Sequence, residues 1–252
     1  MRLTFLGTGT SQGIPVIACE CEVCISTDTR DNRLRTSVLI ESENTSVAID
    51  SGPDFRQQML NSKQKKLDAI VYTHEHKDHV AGLDDVRAFN FKSKKDMEVF
   101  GSQNVINALK NEFHYIFSEF KYPGVPSVNI NKIKKDSIFS IGDINFTTIE
   151  VMHHKLPVFS YRINDLVYIT DAKQVDDQEL QKIKGCKTLI INALRKEKHL
   201  SHFNLSQAIE FSQKVGADKV YLTHLSHLMG KHSDIELPEN IEIAYDGLQI
   251  TF

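Results

Sequence analysis

Apolar residues along this chain fall into short runs that alternate with stretches of helical periodicity. Runs of β type predict strands at Leu3–Leu6, Ser37–Glu41, Ser46–Asp50, Ala69–Thr73, Phe146–Val151, Leu166–Thr170, Thr188–Asn192, Lys219–Thr223 and Ile241–Tyr245. Helical patterns predict Asp54–Asn61 (after Pro53), His79–Phe91, Ser102–Phe117, Asp176–Lys184 and Leu205–Val215, the last with Asn204 as N-cap. Many strands with interspersed helices imply sheets covered by helices, an α/β architecture whose topology the pattern leaves open. Three predicted strands run into residues able to bind metal: Tyr72-Thr73 into His74, Ile169-Thr170 into Asp171, and Leu222-Thr223 into His224. Rigid strands ending in such residues would gather them along one edge of the fold.

Composition narrows the class. The 252 residues are 40% hydrophobic and 25% charged, enough for a large core. No linker or repeat divides them, so a single domain over 1–252 is expected. Lys and Arg number 30 against 33 Asp and Glu, a net charge of −3, which speaks against a dedicated nucleic-acid binder. No apolar run approaches the ~18 residues of a membrane span. Met1 to Gly7 is too short and too soon broken by glycine for a signal peptide. A cytoplasmic protein with no membrane partner is expected, and its four cysteines read as thiols or metal ligands before disulfides. Oligomeric state is open, a homodimer being the common default.

Eleven histidines is a high count, and six consecutive residues concentrate it: His74-Glu75-His76-Lys77-Asp78-His79. Imidazole and carboxylate suit Zn²⁺ and similar divalent ions. In an extended segment His74 and His76 point to the same side, while Asp78 and His79 fall where a helix begins and can serve a second ion. The alternative is a solvated loop rich in histidine. A second cluster, Cys19-Glu20-Cys21-Glu22-Val23-Cys24, offers three soft ligands, but a closed zinc site needs a fourth. Cys186 stands alone before an apolar strand and reads as a core thiol.

The H-x-H-x-D-H segment resembles the hallmark of the metallo-β-lactamase fold hydrolases. The likeness continues at Met152-His153-His154, Thr170-Asp171-Ala172 and Thr223-His224-Leu225. It implies a four-layer αβ/βα sandwich with two divalent ions, Zn²⁺ or Mn²⁺, at the sheet edge. His74, His76 and His153 would hold one, Asp78, His79 and His224 the other, and Asp171 would bridge. Asp78 counts among both the ligands and the catalytic residues. His153 is preferred to His154 because the family ligand stands two residues before a basic residue, here Lys155. Gly7-Thr8-Gly9-Thr10-Ser11-Gln12-Gly13-Ile14-Pro15, followed by C-x-C-x-x-C, is similar to the cyclic-phosphate phosphodiesterase branch, typified by phosphoribosyl 1,2-cyclic phosphate phosphodiesterase. That branch supplies a fourth zinc ligand three residues after the last catalytic histidine, which makes Cys19, Cys21, Cys24 and His227 a structural Zn²⁺ site. It also places an acid/base histidine before a helix, and His202 matches it. His199, His114 and His232 are read as peripheral.

Gly7-x-Gly9 lacks the rest of a P-loop or dinucleotide fingerprint and is read as a tight turn after the first strand. Lysine clusters at 63/65/66, 92/94/95 and 132/134/135 read as solvated faces. The aromatic stretch Phe113, Tyr115, Phe117, Phe120, Tyr122 is open between helix core, lid and dimer contact. The resemblance implies a phosphodiesterase for a small, cyclic phosphate ester, with metal-activated water as nucleophile and His202 protonating the leaving group. The alternatives are a Z-type tRNA 3′-end endonuclease, a thioester or lactam hydrolase of the same fold, and a non-catalytic metal-binding module. A nucleic-acid partner is disfavoured by the charge.

Overall fold

A computed structural model describes residues 1–120 and 122–252. The strands are β1 (Arg2–Gly7), β2 (Ser37–Glu41), β3 (Ser46–Ile49), β4 (Ala69–Val71), β5 (Met97–Gly101), β6 (Val128–Lys132), β7 (Ile138–Ile141), β8 (Ile144–His153), β9 (Leu156–Ile163), β10 (Leu166–Ile169), β11 (Thr188–Asn192), β12 (Lys219–Thr223), β13 (Ile241–Ile243) and β14 (Gln249–Thr251). They form two seven-stranded sheets, ordered β14-β1-β2-β3-β4-β5-β6 and β13-β12-β11-β10-β9-β8-β7. Each sheet is antiparallel on one side and parallel on the other, through β3 to β6 in the first and β10 to β13 in the second. The helices are α1 (Phe55–Asn61), α2 (Lys77–Val80), α3 (Arg87–Ser93), α4 (Gln103–Glu112), α5 (Asp177–Ile183) and α6 (Leu205–Val215).

Three apolar layers explain the stacking. Between the sheets, Leu3, Phe5, Val38 and Ile40 meet Phe146, Tyr161, Tyr168 and Ile190. Phe100, Phe139 and Phe146 stack in series there, with ring centroids 5.1 and 5.2 Å apart. Outside the first sheet, Phe55 and Met59 of α1 and Val105 and Leu109 of α4 cover Ile70 and Val99. Outside the second, Leu180 and Ile183 of α5 and Ala208 and Val215 of α6 cover Val167, Ile169, Leu189 and Ile191. Strands buried on both faces need near-continuous apolar runs, which is why β3, β4, β10, β11 and β12 are legible in the sequence. The result is the expected αβ/βα sandwich. No helix among the described residues is long and apolar enough to cross a membrane.

The departures have local causes. The helix predicted over His79–Phe91 is broken after Val80, where Gly82 packs so closely on the 51–52 loop that a Cβ would lie 2.2 Å from Gly52 O. The helix predicted over Ser102–Phe117 stops at Glu112, and Phe113 turns its ring into the core. Strand β9 gives no strand signal because Pro157 lies near its start, and β6 gives none because it is a polar edge. Gly7 and Gly9 do not make the tight turn. They are extended residues pressed against 33–35, a Cβ on Gly7 falling 2.0 Å from Arg35 O, and the turn comes later, where Gly13 has φ +65°. Phe113, Tyr115 and Phe117 pack with the α4 layer, whereas Phe120 and Tyr122 are exposed.

Helix α6 starts at Asn204, whose side chain accepts from Gln207 N while Gln207 reaches back to Asn204 N, a complete capping box. Asn204 Nδ2 also donates to Lys196 O at 2.9 Å. Asn204→Ala is expected to cost about 1 kcal/mol, read in thermal denaturation as a Tm lower by roughly 2–4 °C.

Candidate metal centre

The parallel halves of the two sheets end at the same edge, and five chain segments deliver side chains there. β4 leads to His74 and the start of α2, β8 ends on His153, β10 leads to Asp171, β12 to His224, and the segment before α6 carries His202. Asp171 and His224 both adopt left-handed backbone, each with φ +55°. That conformation costs a non-glycine residue roughly 1–2 kcal/mol, and here it turns the side chain back over the strand end. Tyr161 Oη donates to Tyr72 O at 2.6 Å and Phe159 N to Thr73 O at 3.0 Å, tying the sheets together beneath the site.

Asp171 sits at the middle of the cluster. Its Oδ1 lies 2.9 Å from His202 Nε2 and 3.2 Å from His224 Nε2, and its Oδ2 lies 3.2 Å from His79 Nε2. Asp78 Oδ2 lies 3.2 Å from His79 Nε2 and 3.8 Å from His224 Nε2. Burial opposes ionisation of both carboxylates, but the surrounding imidazoles outweigh it and hold them well below the usual range. His74 is buried, and burial together with the charge of His79 holds its imidazole well below its ordinary value. The exposed ring of His76 stands 4.5 Å from that of His74 and 5.2 Å from that of His153. His153 is buried with Nδ1 donating to Ser201 O at 2.9 Å, whereas His154 is exposed, with φ +57°.

These donors suit cations. The Nε2 atom of His74 is buried without a hydrogen-bond partner, and those of His79 and His224 face carboxylate oxygens at 3.2 Å without a well-aligned hydrogen bond, an arrangement that suits nitrogen lone pairs directed at a metal. Among the described residues, potential ligand atoms at this edge converge within 4.8 Å in three groups: His74, His79 and Asp171; Asp78, His79 and His224; His153, Asp171 and His202. The second group is the expected set for one ion. The others share Asp171 and divide the expected first set differently, with His76 beside them. A fourth group is separate: Cys19, Cys21 and Cys24 point their Sγ atoms at His227 Nδ1 from 3.3, 3.3 and 3.6 Å. The backbone N–H of Cys24, with help from His227, lowers the Cys21 thiol to about 6 despite some burial. Cys186 is buried in the core, and burial pushes its thiol up to about 11.

Other residues complete the site. Asp50, fully buried with φ +65°, accepts from Thr73 N and Thr73 Oγ1 at 2.8 Å and from His79 Nδ1 at 2.7 Å, which turns His79 Nε2 towards the carboxylates. Asn192 bonds to the backbone beside Asp171. Both end apolar strands (Val47-Ala48-Ile49-Asp50 and Leu189-Ile190-Ile191-Asn192), the same signal that marks His74, Asp171 and His224. His199 is not peripheral: its Nδ1 lies 3.2 Å from His202 Nδ1. Burial, and then the charges of Arg195 and Lys173 among others, keep its imidazole low. His232 instead faces Arg33, and His114 packs edge-on to Tyr115. A cavity of about 920 Å³ lies elsewhere, at the opposite strand ends, where Lys65, Lys66, Lys92 and Lys95 line it.

A model of the beta-lactamase superfamily domain matches residues 45–225. The chain belongs to the metallo-β-lactamase superfamily. In a 254-residue alignment this superfamily member is 39% identical to an octanoyltransferase of Porphyromonas gingivalis, over 99% of this chain and 51% of that protein. It is 28% identical to a ribonuclease Z of Bacillus licheniformis over 66% of this chain and 49% of that protein. The chain spans about half the length of these two relatives. The crystal structure of a diphosphatase from the PhnP family superposes with a TM-score of 0.92 at 35% identity, covering 99% of this chain and 97% of the other. The chain has the metallo-β-lactamase fold, and that fold implies divalent ions.

Gly52 gives the geometry a direct test. A Cβ there would lie 2.0 Å from Asp78 O, so Gly52→Ala must displace the segment that carries Asp78 and His79. Hydrolytic activity on any substrate is expected to fall by ~10²-fold, as a displacement near 1 Å can cause. Steady-state kinetics beside a folded circular-dichroism spectrum would check it.

Proposed function

We propose that this chain is a phosphodiesterase with two catalytic metal ions, acting on a small, cyclic phosphate diester. The observation that carries the reading is His202, buried with its Nε2 2.9 Å from Asp171 at the centre of the ligand cluster. Likeness to a diphosphatase over nearly the whole chain supports phosphorus as the electrophile. In this reading His74, His76 and His153 would hold one ion, Asp78, His79 and His224 the other, and Asp171 would serve both. Bound there, Zn²⁺ or Mn²⁺ would activate water and neutralise charge growing on the phosphoryl oxygens.

The chain's own residues do the rest. Asp50 and the Ser201 carbonyl fix the ring orientations of His79 and His153. His202 approaches from the α6 side and delivers a proton to the leaving alkoxide, while its Nδ1 is held by Ser201 Oγ at 3.0 Å and by His199. Arg195 and Lys198, in the segment entering His202, together with Lys173, put positive charge on that side of the site, suited to an anionic ester. Cys19, Cys21, Cys24 and His227 would hold a structural Zn²⁺, and thiols poised for metal fit the cytoplasm. Residues 1–252 act as one domain.

Two relatives favour other substrates. The octanoyltransferase, a chain twice as long, favours an octanoyl compound such as a thioester or ester, and the ribonuclease Z favours RNA. Metal-reconstituted protein offered bis-aryl phosphate, cyclic ribose phosphates, pre-tRNA, a thioester and a cephalosporin distinguishes them. Cyclic phosphate should be turned over with the highest kcat/KM, and a thioester or pre-tRNA in first place overturns the reading. His202→Ala should lower kcat on the phosphodiester 10²–10⁴-fold with little change in KM. Cys21→Ser should lose one zinc per chain and melt more than about 4 °C lower, by calorimetry and metal analysis. Unchanged zinc content and Tm refute the structural site.

A further inference from the structure

Asn192 is fully buried at the end of β11, and both of its hydrogen bonds go to one residue. Its Oδ1 accepts from Ala172 N at 2.8 Å, and its Nδ2 donates to Ala172 O at 3.0 Å. The β10–β11 ladder ends one step earlier, at the pair Ile169 and Ile191. Beyond it the chain leaves the sheet, because Asp171 takes left-handed backbone. The side-chain amide of Asn192 therefore continues the ladder where main chain cannot, presenting one donor and one acceptor in place of a peptide group.

Ala172 is also where the His202 segment attaches. Phe203 N donates to the same Ala172 O at 2.8 Å, and Lys173 Nζ lies 3.4 Å from His202 O. One carbonyl thus receives the amide that secures the residue after Asp171 and the peptide that follows His202. We infer that Asn192 is a positioning residue that fixes the Asp171 carboxylate and the His202 imidazole relative to each other. The inference rests on the proposed metal-centre reading. Asn192 touches no ligand atom itself. It acts through Ala172, as groups behind metal ligands do, and their loss typically lowers metal affinity or activity 10–100-fold.

The test uses full-length protein reconstituted with Co²⁺. The visible spectrum separates thiolate-bound Co²⁺ at the cysteine cluster from Co²⁺ held by imidazole and carboxylate. Asn192→Leu keeps the volume and removes both hydrogen bonds. It should weaken Co²⁺ binding at the imidazole–carboxylate centre about 10–100-fold and leave the thiolate bands unchanged. Asn192→Asp keeps the acceptor for Ala172 N and loses the donor, so it should fall between Asn192→Leu and wild type, and it carries the test should the leucine variant not fold. Ile190→Ala, in the same strand but facing the inter-sheet core, is the control for lost stability. It should lower Tm without changing Co²⁺ affinity. At saturating metal, Asn192→Asp should lower kcat on bis-aryl phosphate while KM stays near wild type. Wild-type Co²⁺ affinity in both Asn192 variants, or an equal loss in Ile190→Ala, overturns the inference. A wild-type protein that binds Co²⁺ only at the thiolates overturns the metal-centre reading as well.

Discussion

Everything at the open edge of this sandwich depends on buried imidazole nitrogens that make no well-aligned hydrogen bond. His74, His79 and His224 each present such an Nε2 towards the carboxylates of Asp78 and Asp171. A folded chain tolerates these groups only if something else satisfies them or the surrounding structure holds them in place. Two rigid sheets, locked by three apolar layers, provide the second condition. Left-handed backbone at Asp50, Asp171 and His224 shows where that rigidity is spent. Divalent cations bound there would supply the first condition, so that binding them and stabilising the fold would be linked.

The cysteine cluster belongs to the same mechanical unit. Gly9 bridges to both Arg35 and Leu225, and Thr10 N donates to Leu225 O, the residue after His224. The loop bearing Cys19, Cys21 and Cys24 is thus joined to the His224 segment at one end and to His227 at the other. Zinc held there would stiffen the wall on which His224 stands. Arg33, buried and donating to Thr8 Oγ1 and Ala244 O, fastens the same loop to the last strands of the second sheet.

Much of this architecture is legible in the order of residues alone. Doubly buried strands announce themselves as apolar runs, and a chemical residue just beyond such a run marks His74, Asp171 and His224. The same rule applies to Asp50 and Asn192, but an isolated Asp or Asn carries no motif, and only their contacts with Thr73, His79 and Ala172 reveal what they do. His199 reads as peripheral in the sequence because distance from a helix start says nothing about which ring it faces. The edge strand β6 and the proline-bearing inner strand β9 give weak signals, the first because its side chains are not buried on both faces and the second because proline breaks the strand pattern. Gly7 and Gly9 show a further limit: sequence marks a glycine, but only the approach of Arg35 and Arg33 tells close packing from a turn.

The central claim is that two cations occupy the edge where the two parallel halves meet. Anomalous diffraction at the manganese and zinc edges, from crystals grown with both metals, tests it directly. The expected map holds two neighbouring peaks, one beside His74, His76 and His153 and one beside Asp78, His79 and His224, with Asp171 between them. A map with no peak there, or with a single ion away from Asp171, contradicts the claim.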